Sequence, residues 1–165
     1  MQRKSFFNRQ ATAITALFHG STISELLARS RSAEFQGADG IAIQLERLPP
    51  EERTVDNFRY IMQAVHLPFM FICYRSDNWF GEDDEARQEC LLKAAEAGAE
   101  VIDVMGDLYA PAPNELTMEP AAISRQKALI DEIHARGAKA LISSHQHNLP
   151  ARTADDVLET MLEQR

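Results

Sequence analysis

Apolar positions in this chain fall into short continuous runs separated by stretches with helical spacing, and the join between the two repeats. A helix-like stretch ends in Gly-Ala, one charged residue follows, and an apolar run begins. The join appears as Gly37-Ala38-Asp39 before residues 40–45, Gly98-Ala99-Glu100 before 101–105, and Gly137-Ala138-Lys139 before 140–143. Glycine just past a helix takes the left-handed conformation without a Cβ clash, so a buried strand can start at once. Helix, glycine stop and strand, repeated, predict βα units on a parallel sheet.

Extending the pattern gives strands at residues 11–18, 40–45, 69–74, 101–105 and 140–143. Helices follow at 22–35, 54–65, 83–97, 121–135 and 154–164. Ser21 or Thr22 can cap the first helix, and Thr153 the last. Pro49-Pro50 breaks the chain after the second strand, and a Pro-rich loop at 110–120 follows the fourth. Five βα units fill one domain, residues 1–165, with no linker or low-complexity segment. Five units suit a partial TIM-type (β/α) barrel, about five of its eight, or alternatively a doubly wound open parallel sheet. Periodicity alone does not separate the two.

Composition narrows the functional classes. A net charge of −8 argues against nucleic acid as the main partner, because phosphate binding wants a basic face. No apolar run approaches the roughly 20 residues that span a bilayer, and the N-terminal stretch does not read as a signal peptide. Cys73 and Cys90 fall in a strand and a helix and are expected as buried thiols in a cytoplasmic protein.

In parallel sheets the chemistry gathers at the carboxyl ends of the strands. Strand five ends in Ser143-Ser144-His145-Gln146-His147. His145 is a candidate general base held at a rigid strand terminus. With His147, and with Asp103 or His19 as a third ligand, it could instead join a metal site. Strand three ends in Tyr74-Arg75, whose guanidinium suits an anion or hydroxyl clamp. Asp103 sits inside an apolar strand and needs a partner, for which Arg75 on the adjacent strand is the candidate. Gln44 and Glu46 close the second strand. His145, Arg75, Asp103 and Gln44 together make a polar site. A Gly-rich phosphate loop and a GxSxG elbow are both absent.

The runs Val101-Ile102-Asp103-Val104, Leu141-Ile142-Ser143-Ser144-His145 and Phe71-Ile72-Cys73-Tyr74-Arg75 resemble strands four, five and three of the type I 3-dehydroquinate dehydratase family. The resemblance implies a barrel lyase of the shikimate pathway, usually dimeric, with no metal or organic cofactor. It implies His145 as the base, and Arg75, Gln44 and Asp103 as contacts to a small polyhydroxylated carboxylate. That family forms a Schiff base through a lysine on strand six. Here Lys4, Lys93, Lys127 and Lys139 all fall elsewhere, and the finish at Glu163-Gln164-Arg165 reads as truncation. Ala42 and Gln44 stand where the family presents a glutamate and an arginine. A dehydratase-like lyase is therefore expected by resemblance. A non-catalytic remnant or small-molecule binding module, and a metal-dependent barrel enzyme, are the alternatives. Unpaired edges on a partial barrel predict self-association as a dimer.

Overall fold

The computed structural model describes residues 4–8, 12–75 and 83–145, with 155, 156, 158, 159 and 162 of the C-terminal stretch. Strands and helices alternate as β1 (Thr15–His19), α1 (Ile23–Phe35), β2 (Gly40–Gln44), α2 (Val55–Gln63), β3 (Phe69–Ile72), α3 (Asp84–Ala97), β4 (Val101–Met105), α4 (Pro120–Ala135) and β5 (Lys139–Ser143). A 3₁₀ turn, Pro50–Glu52, precedes α2. The expected last helix falls largely outside the described residues. The five of its positions that are described are helical.

The repeated Gly-Ala join is one backbone device used three times. Gly37, Gly98 and Gly137 have φ of 88°, 103° and 86°. The N–H of each following alanine returns to the carbonyl five residues back: Ala38 to Ala33, Ala99 to Ala94 and Ala138 to Ile133, at 3.0, 3.2 and 3.3 Å. This closure satisfies orphan carbonyls of the last helical turn and sends the chain directly into the next strand. At the other helix ends, the side chains of Thr22, Thr54 and Asp83 accept the N–H of Glu25, Asn57 and Ala86.

The strands lie in the order β1-β2-β3-β4-β5, all parallel. Right-handed crossovers that always step the same way put every helix on one face. A doubly wound sheet would reverse its order midway, so the sheet is of the barrel type. On the helix-packed face Ile41, Ile43, Phe69, Phe71, Ile102 and Val104 are fully buried. The other face, called open below, carries Leu17 and Leu141, which are 57% and 44% exposed on the edge strands. Cys73 and Cys90 are both buried as thiols. Among the described residues no helix is long and apolar enough to cross a membrane.

Two strand boundaries differ from the sequence expectation by more than one residue. β1 starts at Thr15 rather than 11, because its ladder partner β2 starts at Gly40. Ile14 instead exchanges bonds with Asp39, giving its N–H to the carboxylate at 3.0 Å. β3 stops at Ile72, leaving Cys73 to Arg75 free to turn at the rim.

The segment around Phe6 crosses the opposite, amino-terminal rim. Its backbone N–H donates to the Glu100 carboxylate at 2.8 Å, and its ring lies against Gly40, where any Cβ would collide with it. A mostly apolar cavity of about 250 Å³ lies between Phe6, Phe7 and residues of β3, β4 and β5.

Candidate active site

Because all five strands run the same way, their carboxyl ends share one rim. It collects Gln44 at the end of β2 and Glu46 just past it, Tyr74 and Arg75 after β3, Asp107 after β4, and Ser144 and His145 after β5. The imidazole and the guanidinium thus stand on the same rim, as the sequence implied.

The centre of the rim is a residue the sequence reading passed over. Glu115, in the loop between β4 and α4, accepts the backbone N–H of His145 at 2.6 Å and meets its Nδ1 at 2.9 Å, both through Oε2. Its other oxygen accepts the Tyr74 hydroxyl. The Tyr74 ring stands edge-on to the imidazole, with centroids 5.0 Å apart at 82°. Burial pulls the Glu115 carboxyl up, but bonds from Tyr74 and His145 hold it below the usual carboxylate range. A carboxylate facing Nδ1 fixes the proton there and leaves Nε2 as the accepting nitrogen. Burial, and the Glu115 carboxylate beside it, push the Tyr74 hydroxyl up to about 12, so it stays a donor.

Glu115 is held by unusual backbone. It has φ of 53°, and Tyr109 earlier in the loop has φ of 74°. The loop folds back on the end of β4 at Gly106, whose N–H donates to the Ser143 carbonyl at 2.8 Å and whose carbonyl accepts from Thr117 at 3.1 Å. A Cβ at Gly106 would lie 2.7 Å from the Glu115 carbonyl oxygen and 2.6 Å from Leu116. Only glycine permits that approach.

Below this cluster lies Asp103, 6% exposed. The register sets it beside Ile72 and Leu141, and Ile72 beside Gln44, so these four share the open face. The Ser143 hydroxyl donates to Asp103 Oδ1 at 2.6 Å. Burial raises the Asp103 carboxyl above its ordinary value, against the Ser143 bond and the nearby His145 charge, while Glu115 adds to the rise. Gln44 reaches the same face, half-buried, without a bond to the cluster. Glu46 accepts the N–H of Tyr74, and burial raises its carboxyl too.

Arg75 corrects the sequence expectation. Its partner is not Asp103: Nη1 donates to Asp107 Oδ2 at 3.0 Å, and Nη2 faces Asp84 at 3.4 Å. Arg87 joins Asp84 at 3.3 Å. The guanidinium is thus engaged in a charged cluster at the base of α3 rather than with His145 or Asp103. Of the four predicted site residues, the structure brings His145 and Asp103 together, leaves Gln44 on their face, and sets the Arg75 head group apart.

For the metal alternative, His147 lies outside the described residues. His19 ends β1, three strand positions from Asp103. Among the described residues, no three His, Cys, Asp or Glu side chains are gathered as metal ligands would be.

No protein-family model matches this chain, and no curated protein matches it in sequence. Solved structures do. The 3-dehydroquinate dehydratase of Enterococcus faecalis superimposes with a TM-score of 0.72 at 14% identity, over 92% of this chain and 62% of that one. The type I enzyme of Clostridium difficile gives 0.71 at 16%, over 99% and 66%. The Geobacillus kaustophilus enzyme gives 0.68 at 14%, over 94% and 59%. The likeness is one of fold. It places the five units on a TIM-barrel-type scaffold, and the chain spans about three-fifths of the dehydratases' length.

Proposed function

We propose that the rim around His145 removes a proton next to a ketone and expels a β-hydroxyl, as a dehydratase of the 3-dehydroquinate type. The observation that carries this reading is the His145–Glu115 contact, an imidazole with one nitrogen pinned and the other turned free. The fold shared with several 3-dehydroquinate dehydratases supports the substrate class. His145 Nε2 takes the proton, the electron pair moves toward the carbonyl, and the imidazolium then returns a proton to the departing hydroxyl. The products are an α,β-unsaturated ketone and water.

None of the lysines in this sequence stands at that rim. Lys93 lies on α3 and Lys127 on α4, Lys139 opens β5 at the opposite rim, and Lys4 pairs through its backbone with His66 before β3. The chemistry proposed for these residues is therefore non-covalent enolisation, slower than an iminium route. The same placement favours a second reading, a small-molecule binding module without turnover. The test is incubation with 3-dehydroquinate, following the conjugated enone by ultraviolet absorbance, with and without borohydride. Slow enone formation that resists borohydride is expected. Binding without enone selects the second reading, and neither binding nor enone removes both.

A further inference from the structure

We propose that the Asp103 carboxyl group donates the hydrogen bond that carries the substrate oxyanion while His145 holds the abstracted proton. The inference rests on the dehydratase reading above and names the group that replaces an iminium in it. An enolate forming without an iminium needs a donor already in place, because water at the rim would have to reorganise around the new charge.

The hydroxyl and guanidinium donors near the rim are committed, and the Gln44 amide lies two strands from Asp103, on β2. The Tyr74 hydroxyl is given to Glu115, that of Ser143 to Asp103 Oδ1, and that of Ser144 to the Asn114 carbonyl at 2.8 Å. The Arg75 guanidinium is engaged by Asp107 and Asp84. Asp103 differs. Its Oδ1 is held by Ser143, and its second oxygen has no hydrogen-bond partner among the described residues. It lies on the open face one layer below the rim, on the strand next to the one that leads into His145. A ketone seated on that face has the imidazole above it and Asp103 beneath.

The surroundings favour the neutral acid that a donor requires. Ile72 on β3 and Leu141 on β5 flank Asp103 in register, and the row continues through Gln44 on β2 to His19 on β1, whose pKa burial lowers. The charged groups that face it are His145 from the end of β5, which opposes protonation, and Glu115 from the β4–α4 loop, which supports it. Burial supports it most. A buried carboxylic acid kept neutral so that it can donate to an enolate is an established catalytic device.

The step balances within these groups. His145 Nε2 takes the proton from the carbon beside the ketone. The C–H pair becomes the enolate double bond, and the carbonyl oxygen takes the negative charge against the Asp103 O–H. Return of that charge expels the β-hydroxyl, which leaves as water with the proton from the imidazolium. His145 and Asp103 end as they began.

The test follows solvent deuterium entering 3-dehydroquinate beside its ketone by NMR, together with enone formation, for the whole chain and for Asp103→Ala, Asp103→Asn and His145→Ala. Asp103→Ala is expected to lose about a hundredfold or more of both rates. Asp103→Asn still donates through its amide and keeps the Ser143 bond, so it should retain activity within about tenfold. The wild-type rate should fall on the alkaline side as Asp103 ionises, and Asp103→Asn should lack that fall. An unchanged alkaline limb in Asp103→Asn overturns the role of Asp103. So does exchange by Asp103→Ala at the wild-type rate while His145→Ala is inactive, an outcome that leaves the dehydratase reading standing. Absence of both exchange and enone with the wild-type chain overturns the two together.

Discussion

One oxygen of Glu115 holds His145 twice, by the backbone N–H at 2.6 Å and by Nδ1 of the ring at 2.9 Å. A single carboxylate therefore sets both where the histidine backbone stops and which way its ring faces. Glutamine in its place can present an amide N–H to Nδ1 and reverse the imidazole tautomer, turning Nε2 from base to donor. Glu115→Gln should lower the rate of proton removal by about 10²- to 10⁴-fold with little change in KM. Steady-state kinetics beside circular dichroism checks this. An unchanged rate in a folded variant would separate Glu115 from the base.

Gly106 provides the room that lets Glu115 reach His145. The Gly106→Ala methyl meets backbone, the Glu115 carbonyl oxygen at 2.7 Å, which cannot swing aside as a side chain could. The β4–α4 loop must lift, and the carboxylate moves with it. The expected result is a loss of activity comparable to that of Glu115→Gln, together with a lower thermal midpoint. Activity retained at the wild-type level would show that the loop relaxes without moving Glu115.

The repeated glycine joins were legible in the sequence because a Schellman closure is local and written in adjacent residues. The parallel sheet followed from them, as did His145 and Asp103 at its carboxyl side. Glu115 was not legible. It is one acid in a Pro-rich loop, and what brings it to His145 is a left-handed backbone and a contact with Gly106, neither visible in residue spacing. The partner of Arg75 was misread for a different reason. Asp103 pairs in register with Ile72, so Arg75 stands three positions farther along the chain and its head group finds Asp107 and Asp84. Adjacent strands are readable from one sequence, but their register is not.

Asp107 is 2% exposed and depends on Arg75 for its countercharge. The other bond to its carboxylate from a described residue is the Ala112 N–H at 2.9 Å. Arg75→Ala leaves a carboxylate uncompensated in a buried place, and should cost about 2–4 kcal/mol of stability, the lower part of the range because water reaches the guanidinium. Urea unfolding measures this. Stability unchanged with a raised KM would return Arg75 to the role of substrate contact.

Glu46 offers a test of rim electrostatics that does not depend on turnover. Its Oε2 is buried without a hydrogen-bond partner, and burial raises its carboxyl above the ordinary value despite the N–H of Tyr74 and the charges of Arg47 and Arg53. A folded-state value above the unfolded one means that the native chain holds this proton more tightly. The stabilisation is fully present below the ordinary carboxylate pKa of about 4.3 and is lost as pH rises through the folded value. Glu46→Gln removes the ionisation and with it that pH-dependent loss. The variant's thermal midpoint should therefore gain on wild type as pH climbs from about 4 toward neutrality. A difference that stays constant across that window would mean the Glu46 carboxylate is solvated as well in the folded chain as in the unfolded one.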